Sequence, residues 1–346
     1  MKAAVFDDFQ QPISVRTVPD PEPPPDGVVI AVTASGLCRS DWHGWMGHDA
    51  DVHPPHVPGH EFAGRIVAVG PDVRNWEAGA RVTAPFALGC GRCAQCVAGN
   101  QQICDAYYQP GFTGWGSFAE YVAIPYADTN LVRLPDTVDD LSAATLGCRF
   151  TTSFRAVIDQ GRLRAGEWAV IYGCGGVGLS AVMIARAQGA QVIAVDIDDA
   201  ALALAQQMGA GHIFNARKDD DVPAAVAELT GGGAHLSVDA LGSHETARNA
   251  ILSLRKQGRH VQVGLLGAEG GEAPVPMGRI IAHELELYGS HGMQAHHYPR
   301  LLEMIASGVL DPGQLVQRTI SLAGAPEALV AMGQFAQPGV TVVNRF

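Results

Sequence analysis

Along the first 135 residues the apolar positions fall in short runs rich in Val, Ile and Tyr, broken by turns bearing Pro and Gly. That texture predicts strands over 2–6, 13–18, 28–33, 61–69, 81–84, 118–124 and 131–134. Five prolines in the seven residues from Pro19 to Pro25 predict an extended connector. Near residue 150 the pattern changes. Strand-like runs at 169–172, 191–195, 212–214, 236–239, 259–263 and 285–289 now alternate with helical stretches at 177–187, 200–208, 222–229 and 244–254. Six strands joined by crossover helices predict an α/β unit with a doubly wound parallel sheet. Beyond about residue 290 come a helix over 298–306, further strand-like pieces and a final run at 340–343. This tail is too short for a domain of its own. The expected division is therefore 1–149, 150–290 and 291–346, with the last segment packing back on the first.

Composition narrows the function. A chain of 346 residues with 47% hydrophobic and 17% charged residues has ample core for two soluble domains. A formal charge of −12 argues against nucleic acid or an anionic membrane as the main partner. The segment from Met1 to Asp8 lacks the apolar run of a signal peptide, so the expectation is a cytoplasmic chain. The 18 uncharged residues from Trp168 to Ala185 reach the length of a membrane span. Glycines at 173, 175, 176 and 178 instead punctuate that run into strand, turn and helix.

Seven cysteines are present, and four of them, Cys90, Cys93, Cys96 and Cys104, lie within 15 residues. Four thiolates with short spacers can close a tetrahedron around zinc and leave no position for substrate, which describes a structural site. The alternative is a set of reactive or disulfide-bonded cysteines. Cys38 and Cys148, with His60, would make a two-thiolate, one-imidazole site that leaves a fourth position open, as a catalytic zinc requires. Taken alone, Cys148 reads more often as a small buried residue. Asp41 could orient His60, and Glu61 could lie behind the ligands or join them transiently.

Gly173-x-Gly175-Gly176-Val177-Gly178 follows an apolar strand and opens a helix, and Asp196 closes the next strand. In that context the glycines form a dinucleotide fingerprint, with Asp196 as acceptor for the adenosine ribose. Asp196, Asp198 and Asp199 would repel a 2′-phosphate, and no Lys or Arg lies between 196 and 205, which favours NAD over NADP.

With both constellations in place, the chain resembles the zinc-dependent medium-chain alcohol dehydrogenases over nearly its whole length. The likeness rests on Gly36-x-Cys38-x-Ser40-Asp41-x-His43, Gly59-His60-Glu61, the four-cysteine lobe, Gly116-x-Phe118-Ala-Glu-Tyr121 and Cys148-x-x-x-Thr152. It implies a GroES-like β-rich catalytic domain with a Rossmann domain, two zinc ions per subunit, NAD, and a homo-oligomer. It further implies that Cys148 is the third ligand and that Ser40, by way of the nicotinamide ribose, relays a proton to His43. The plainer alternative is an N-capping Ser40 and a surface His43. By the same resemblance Arg39 approaches the cofactor pyrophosphate, Thr152, Val263 and Leu265 meet the nicotinamide, and Trp45, Phe86 and Trp115 line a substrate pocket. The implied reaction is reversible oxidation of a medium-sized or aromatic alcohol. A polyol or amino-alcohol dehydrogenase is the rival enzyme, and a non-catalytic NAD- and zinc-binding protein the rival of another class.

Overall fold

The computed structural model describes residues 1–266, 271–334 and 338–346. They form two compact units, Met1–Thr151 with Gly292–Phe346, and Thr152–His291. In the first, β1 (Lys2–Val5) and β2 (Ser14–Thr17) make an antiparallel ribbon. The main sheet uses β3 (Val28–Gly36), β4 (Phe62–Val69), β5 (Arg81–Thr83), β6 (Tyr121–Ile124) and β7 (Val132–Arg133). β3 is the central strand, pairing antiparallel with β4 on one side, and with β6. Its residues are buried almost without alternation, as expected for a strand covered on both faces.

The second unit holds β8 (Trp168–Tyr172), β9 (Gln191–Asp196), β10 (His212–Asn215), β11 (Ala234–Asp239), β12 (Leu254–Gln262) and β13 (Glu286–Gly289). All pairings are parallel, in the order β10-β9-β8-β11-β12-β13. The order reverses between β8 and β11, which is the switch point where such sheets open a crevice at their strand ends. Val170, Tyr172, Ile193, Val195, Val226 and Ala250 build the core on one face. β12 starts earlier than its apolar pattern predicts, because its first residues after Leu254 are polar.

The chain then returns to the first unit. β14 (Val316–Ser321) pairs parallel with β15 (Val340–Arg345), and β15 joins the end of β3 through Val342–Gly36 and Val343–Ser35. Helices at Arg39–Met46, Met277–His283 and Ala325–Ala331 were not indicated by periodicity. No helix among the described residues is long and apolar enough to cross a membrane.

One core of the first unit gathers Phe6, Leu37, Trp45, Phe112, Phe118 and Leu329. Trp45 is 8% exposed there, and its indole N–H donates to the Gln11 carbonyl at 2.9 Å. That placement gives Trp45 a packing role. Trp45→Ala should accordingly lower stability by about 3–5 kcal/mol, read as a shift in the urea midpoint at unchanged slope.

Candidate metal centres and cofactor site

β3 delivers the chain to Cys38, which caps the helix Arg39–Met46. The approach is tight. A Cβ on Gly36 would lie 2.8 Å from the Ala144 carbonyl and 2.8 Å from Glu61 Oε2, so only glycine fits. Asp41, in the first turn, accepts from the Cys38 amide at 3.0 Å through Oδ2. Its Oδ1 takes the Gly59 amide at 3.0 Å and His60 Nδ1 at 2.8 Å. Asp41 and His60 are both buried, so this hydrogen bond fixes the ring and its tautomer. In the neutral ring the lone pair is thereby left on Nε2, which is buried and has no hydrogen-bond partner among the described residues.

The ligand atoms of Cys38, His60, Glu61 and Cys148 lie within 4.8 Å of one another. An orphaned imidazole nitrogen beside two thiols is the donor set a zinc ion takes, so these residues fit the metal. The two thiols share a hydrogen bond that draws Cys38 well below the usual thiol range and holds Cys148 well above it. Burial works against charge on His60, but Asp41 and the Cys38 sulfur outweigh it and raise its pKa. A metal entering here displaces protons, so its affinity must rise with pH. Glu61 is engaged elsewhere. Its Oε1 accepts from the Arg149 amide at 2.8 Å and Nε at 3.1 Å, and its Oε2 pairs with the same guanidinium. Sequence reasoning missed Arg149, although a buried carboxylate demands a cation somewhere.

Ser40 sits inside the first turn of the helix, whose cap is Cys38, so the N-capping alternative does not hold. The Cys38 Sγ lies 3.7 Å from Ser40 Oγ. His43 is three residues on, along the same helix face. Burial, and then the nearby Arg39 and His48, lower the pKa of His43, whose Nδ1 lies 2.9 Å from that of His48. Arg39 donates to the Met332 carbonyl at 2.7 Å, with its guanidinium 4.9 Å from the Trp42 ring. Phe86 and Phe112 set their edges against the His60 ring at 6.2 and 5.4 Å. Phe112 carried no signal in the sequence. Trp115 is partly exposed and donates to the Pro55 carbonyl at 3.1 Å.

The sulfurs of Cys90, Cys93, Cys96 and Cys104 likewise lie within 4.8 Å of one another. Main-chain N–H groups already point at them. Cys104 Sγ accepts from Cys90 and Ala106, each at 3.3 Å, and Cys93 Sγ from Cys96 at 3.5 Å. Amides of this kind, first that of Arg92, draw the Cys90 thiol down to about 6. Val97 and Ile103 in the lobe are exposed, so apolar burial does little to hold it. Four sulfurs fit a closed zinc site.

In the second unit, Gly173 has φ +88 and ends β8 in a turn, and Gly175 caps the helix Gly176–Ala187. A Cβ on Gly178 would meet the Gly173 carbonyl at 1.7 Å, whereas one on Gly175 would meet nothing within 4 Å. Gly178 thus serves close packing, while Gly175 leaves open space before free helix amides. That space is what a pyrophosphate fills. Asp196 Oδ2 accepts from the Cys174 amide at 2.6 Å, and Oδ1 from Ile197 and Asp198 at 2.7 and 3.0 Å. The carboxylate therefore ties the glycine turn to the end of β9 and keeps lone pairs for a ribose hydroxyl. Val263 follows β12, its amide on the Asp239 carbonyl, and Leu265 is 75% exposed. Thr152 Oγ1 is buried with no hydrogen-bond partner among the described residues. These residues fit a dinucleotide.

The Asp41–His60 bond sets the orientation of the imidazole. Asp41→Asn should therefore weaken zinc binding at that centre about 10–100-fold, read by competition with a chromogenic chelator while the four-cysteine lobe stays loaded.

The family models for an alcohol dehydrogenase GroES-like domain and a zinc-binding dehydrogenase match residues 24–136 and 176–307. An alcohol dehydrogenase of Geobacillus stearothermophilus is 36% identical over 84% of both chains. An NAD-dependent alcohol dehydrogenase of Sulfurisphaera tokodaii is 32% identical over 99% of both. A sorbitol dehydrogenase of Bacillus subtilis is 32% identical over 97% of this chain and 94% of its own. The crystal structure of the alcohol dehydrogenase from Thermus sp. ATN1 superposes with a TM-score of 0.90 over the whole of both chains, at 28% identity. Zinc and NAD are the cofactors these matches support. The chain belongs to the zinc-dependent medium-chain dehydrogenase/reductase family.

Proposed function

We propose that this dehydrogenase oxidises primary or secondary alcohols, medium-sized or aromatic, to aldehydes or ketones, with NAD⁺ as hydride acceptor. The observation that carries the reading is the orphaned Nε2 of His60, fixed by Asp41 beside Cys38 and Cys148. Those three residues would hold the catalytic zinc, and Cys90, Cys93, Cys96 and Cys104 the structural one. With Glu61 engaged by Arg149, three protein donors would hold the ion and leave it open to substrate. A zinc ion held by these residues would supply acidification of a neighbouring hydroxyl; for water the fall from about 15.7 to about 7 is worth roughly 12 kcal/mol at 1.36 per unit.

The substrate proton still has to leave. Ser40 Oγ can take it while releasing its own hydroxyl proton, and His43, kept neutral near pH 7 by its lowered pKa, can accept the relayed proton and pass it to solvent. A positioned acid–base group contributes about 10²–10⁴-fold, so loss of the relay costs less than loss of a zinc ligand. Phe86 and Phe112, edge-on to His60, favour an apolar or aromatic substrate. The sorbitol dehydrogenase relative supports a polyol as the second reading. Asp196 favours NAD over NADP, whereas Asp199 is paired with Lys218 at 2.6 Å and adds little to that preference.

A panel of simple, aromatic and polyhydric alcohols, followed by NADH absorbance, tests the assignment. The expected result is turnover of apolar alcohols, with kcat/KM at least 10-fold higher for NAD⁺ than for NADP⁺. A preference for NADP⁺ would refute the role given to Asp196, and turnover of polyols alone would favour the second reading. His43→Ala should lower kcat roughly 10-fold or more near pH 7 and recover part of it above pH 9, where solvent takes the proton unaided. An unaltered pH profile would remove His43 from the path.

A further inference from the structure

The three donors of the mixed site come from different segments of the chain, and the side chain of the residue after one donor touches the residues beside the other two. Arg149 Nη2 donates to the Leu37 carbonyl at 2.6 Å, and Leu37 precedes Cys38. Its Nε donates to Glu61 Oε1 at 3.1 Å and Nη2 pairs with Oε2, and Glu61 follows His60. Arg149 itself follows Cys148, and its main-chain amide also donates to Glu61 Oε1, at 2.8 Å. Arg149 is 3% exposed and Glu61 fully buried. Two glycines make room for the arrangement. A Cβ on Gly36 would stand 2.8 Å from Glu61 Oε2 and 3.4 Å from Arg149 Nη2, and one on Gly147 would stand 3.0 Å from the Glu61 Cα.

We propose that Arg149 is a positioning residue that assembles the three ligand segments before the metal arrives, with Glu61 as its anchor. The proposal rests on the reading of Cys38, His60 and Cys148 as ligands. Physically, a planar guanidinium can hold a carboxylate by two donors and still reach a carbonyl. Contacts across 88 and 112 residues are thus closed by protein hydrogen bonds rather than by the ion. A site ordered in advance does not spend metal-binding energy on ordering. Arg149 also answers the buried charge of Glu61, while the buried Asp41 carboxylate is held by His60 Nδ1 and two main-chain amides. A lysine could pair with Glu61 but lacks the fork that spans both partners.

The test is zinc affinity, measured on the full chain by chelator competition, with the urea midpoint of the zinc-stripped mixed site alongside. Wild type should hold two zinc ions per chain. Arg149→Met should lose the more weakly held one, its affinity falling about 10–100-fold, while the four-cysteine lobe keeps its ion. Arg149→Lys, the variant to rely on if Met does not fold, should fall about 10-fold. The effects of Glu61→Gln and Arg149→Met should not add. Wild-type affinity in either arginine variant overturns the proposal, as does an equal loss at both sites with a lowered urea midpoint, which marks plain structural damage. A wild-type chain that binds one zinc, held by the lobe, would instead overturn the ligand set on which the proposal stands.

Discussion

One hydrogen bond, from buried His60 Nδ1 to Asp41 Oδ1, governs the chemistry of the first unit. An imidazole has one lone pair to give, and this bond decides where it points. Because Asp41 also takes the amides of Cys38 and Gly59, the same carboxylate aligns two ligand-bearing segments. Without an ion, His60 Nε2 is a buried polar atom with no partner, which folded proteins seldom leave so. The surroundings therefore specify a metal more strongly than the donors do alone. Arg149 and Glu61 stand behind that arrangement as a second pair of opposite charges, so the ionisable groups of the site are matched rather than merely buried.

The two cysteine sites show different ways of building a metal centre. In the lobe, short spacers and turns bring four sulfurs together, and local main-chain amides already face them. Its geometry is a property of 15 consecutive residues. In the mixed site each donor sits just ahead of a different element, Cys38 before the helix Arg39–Met46, His60 before β4 and Cys148 before the helix Arg149–Phe154. Gly36 lies at the end of β3, whose pairing with β15 and β4 fixes how closely Glu61 can approach. The first site can form once its loop forms; the second requires the completed unit, including the returning strand.

The second unit follows a comparable logic with backbone in place of metal. Strand order reverses between β8 and β11, and the glycine turn after β8 sits at that reversal. Gly178 permits helix and turn to touch, Gly175 leaves space open, and Asp196 binds the turn to the neighbouring strand. Positive ends of main-chain N–H groups then face the space where a pyrophosphate is accommodated.

By itself, the sequence determined whatever depends on spacing. Alternating strands and helices of the second unit, the glycine fingerprint with Asp196 closing the next strand, and the four-cysteine lobe were all legible, because each is a local pattern. Cys38, Asp41 and His60 stood out by residue type, and Ser40 and His43 only through the family resemblance, since the helix that carries Ser40, Asp41 and His43 left no periodic signal. Only the tertiary structure decided that Arg149 answers Glu61, that Phe112 joins Phe86 against His60, and that Trp45 packs in the core. Nothing about an arginine 88 residues away marks it as the partner of a given carboxylate. Burial creates the demand for a counter-charge, and the folded backbone alone determines which side chain is near enough to meet it.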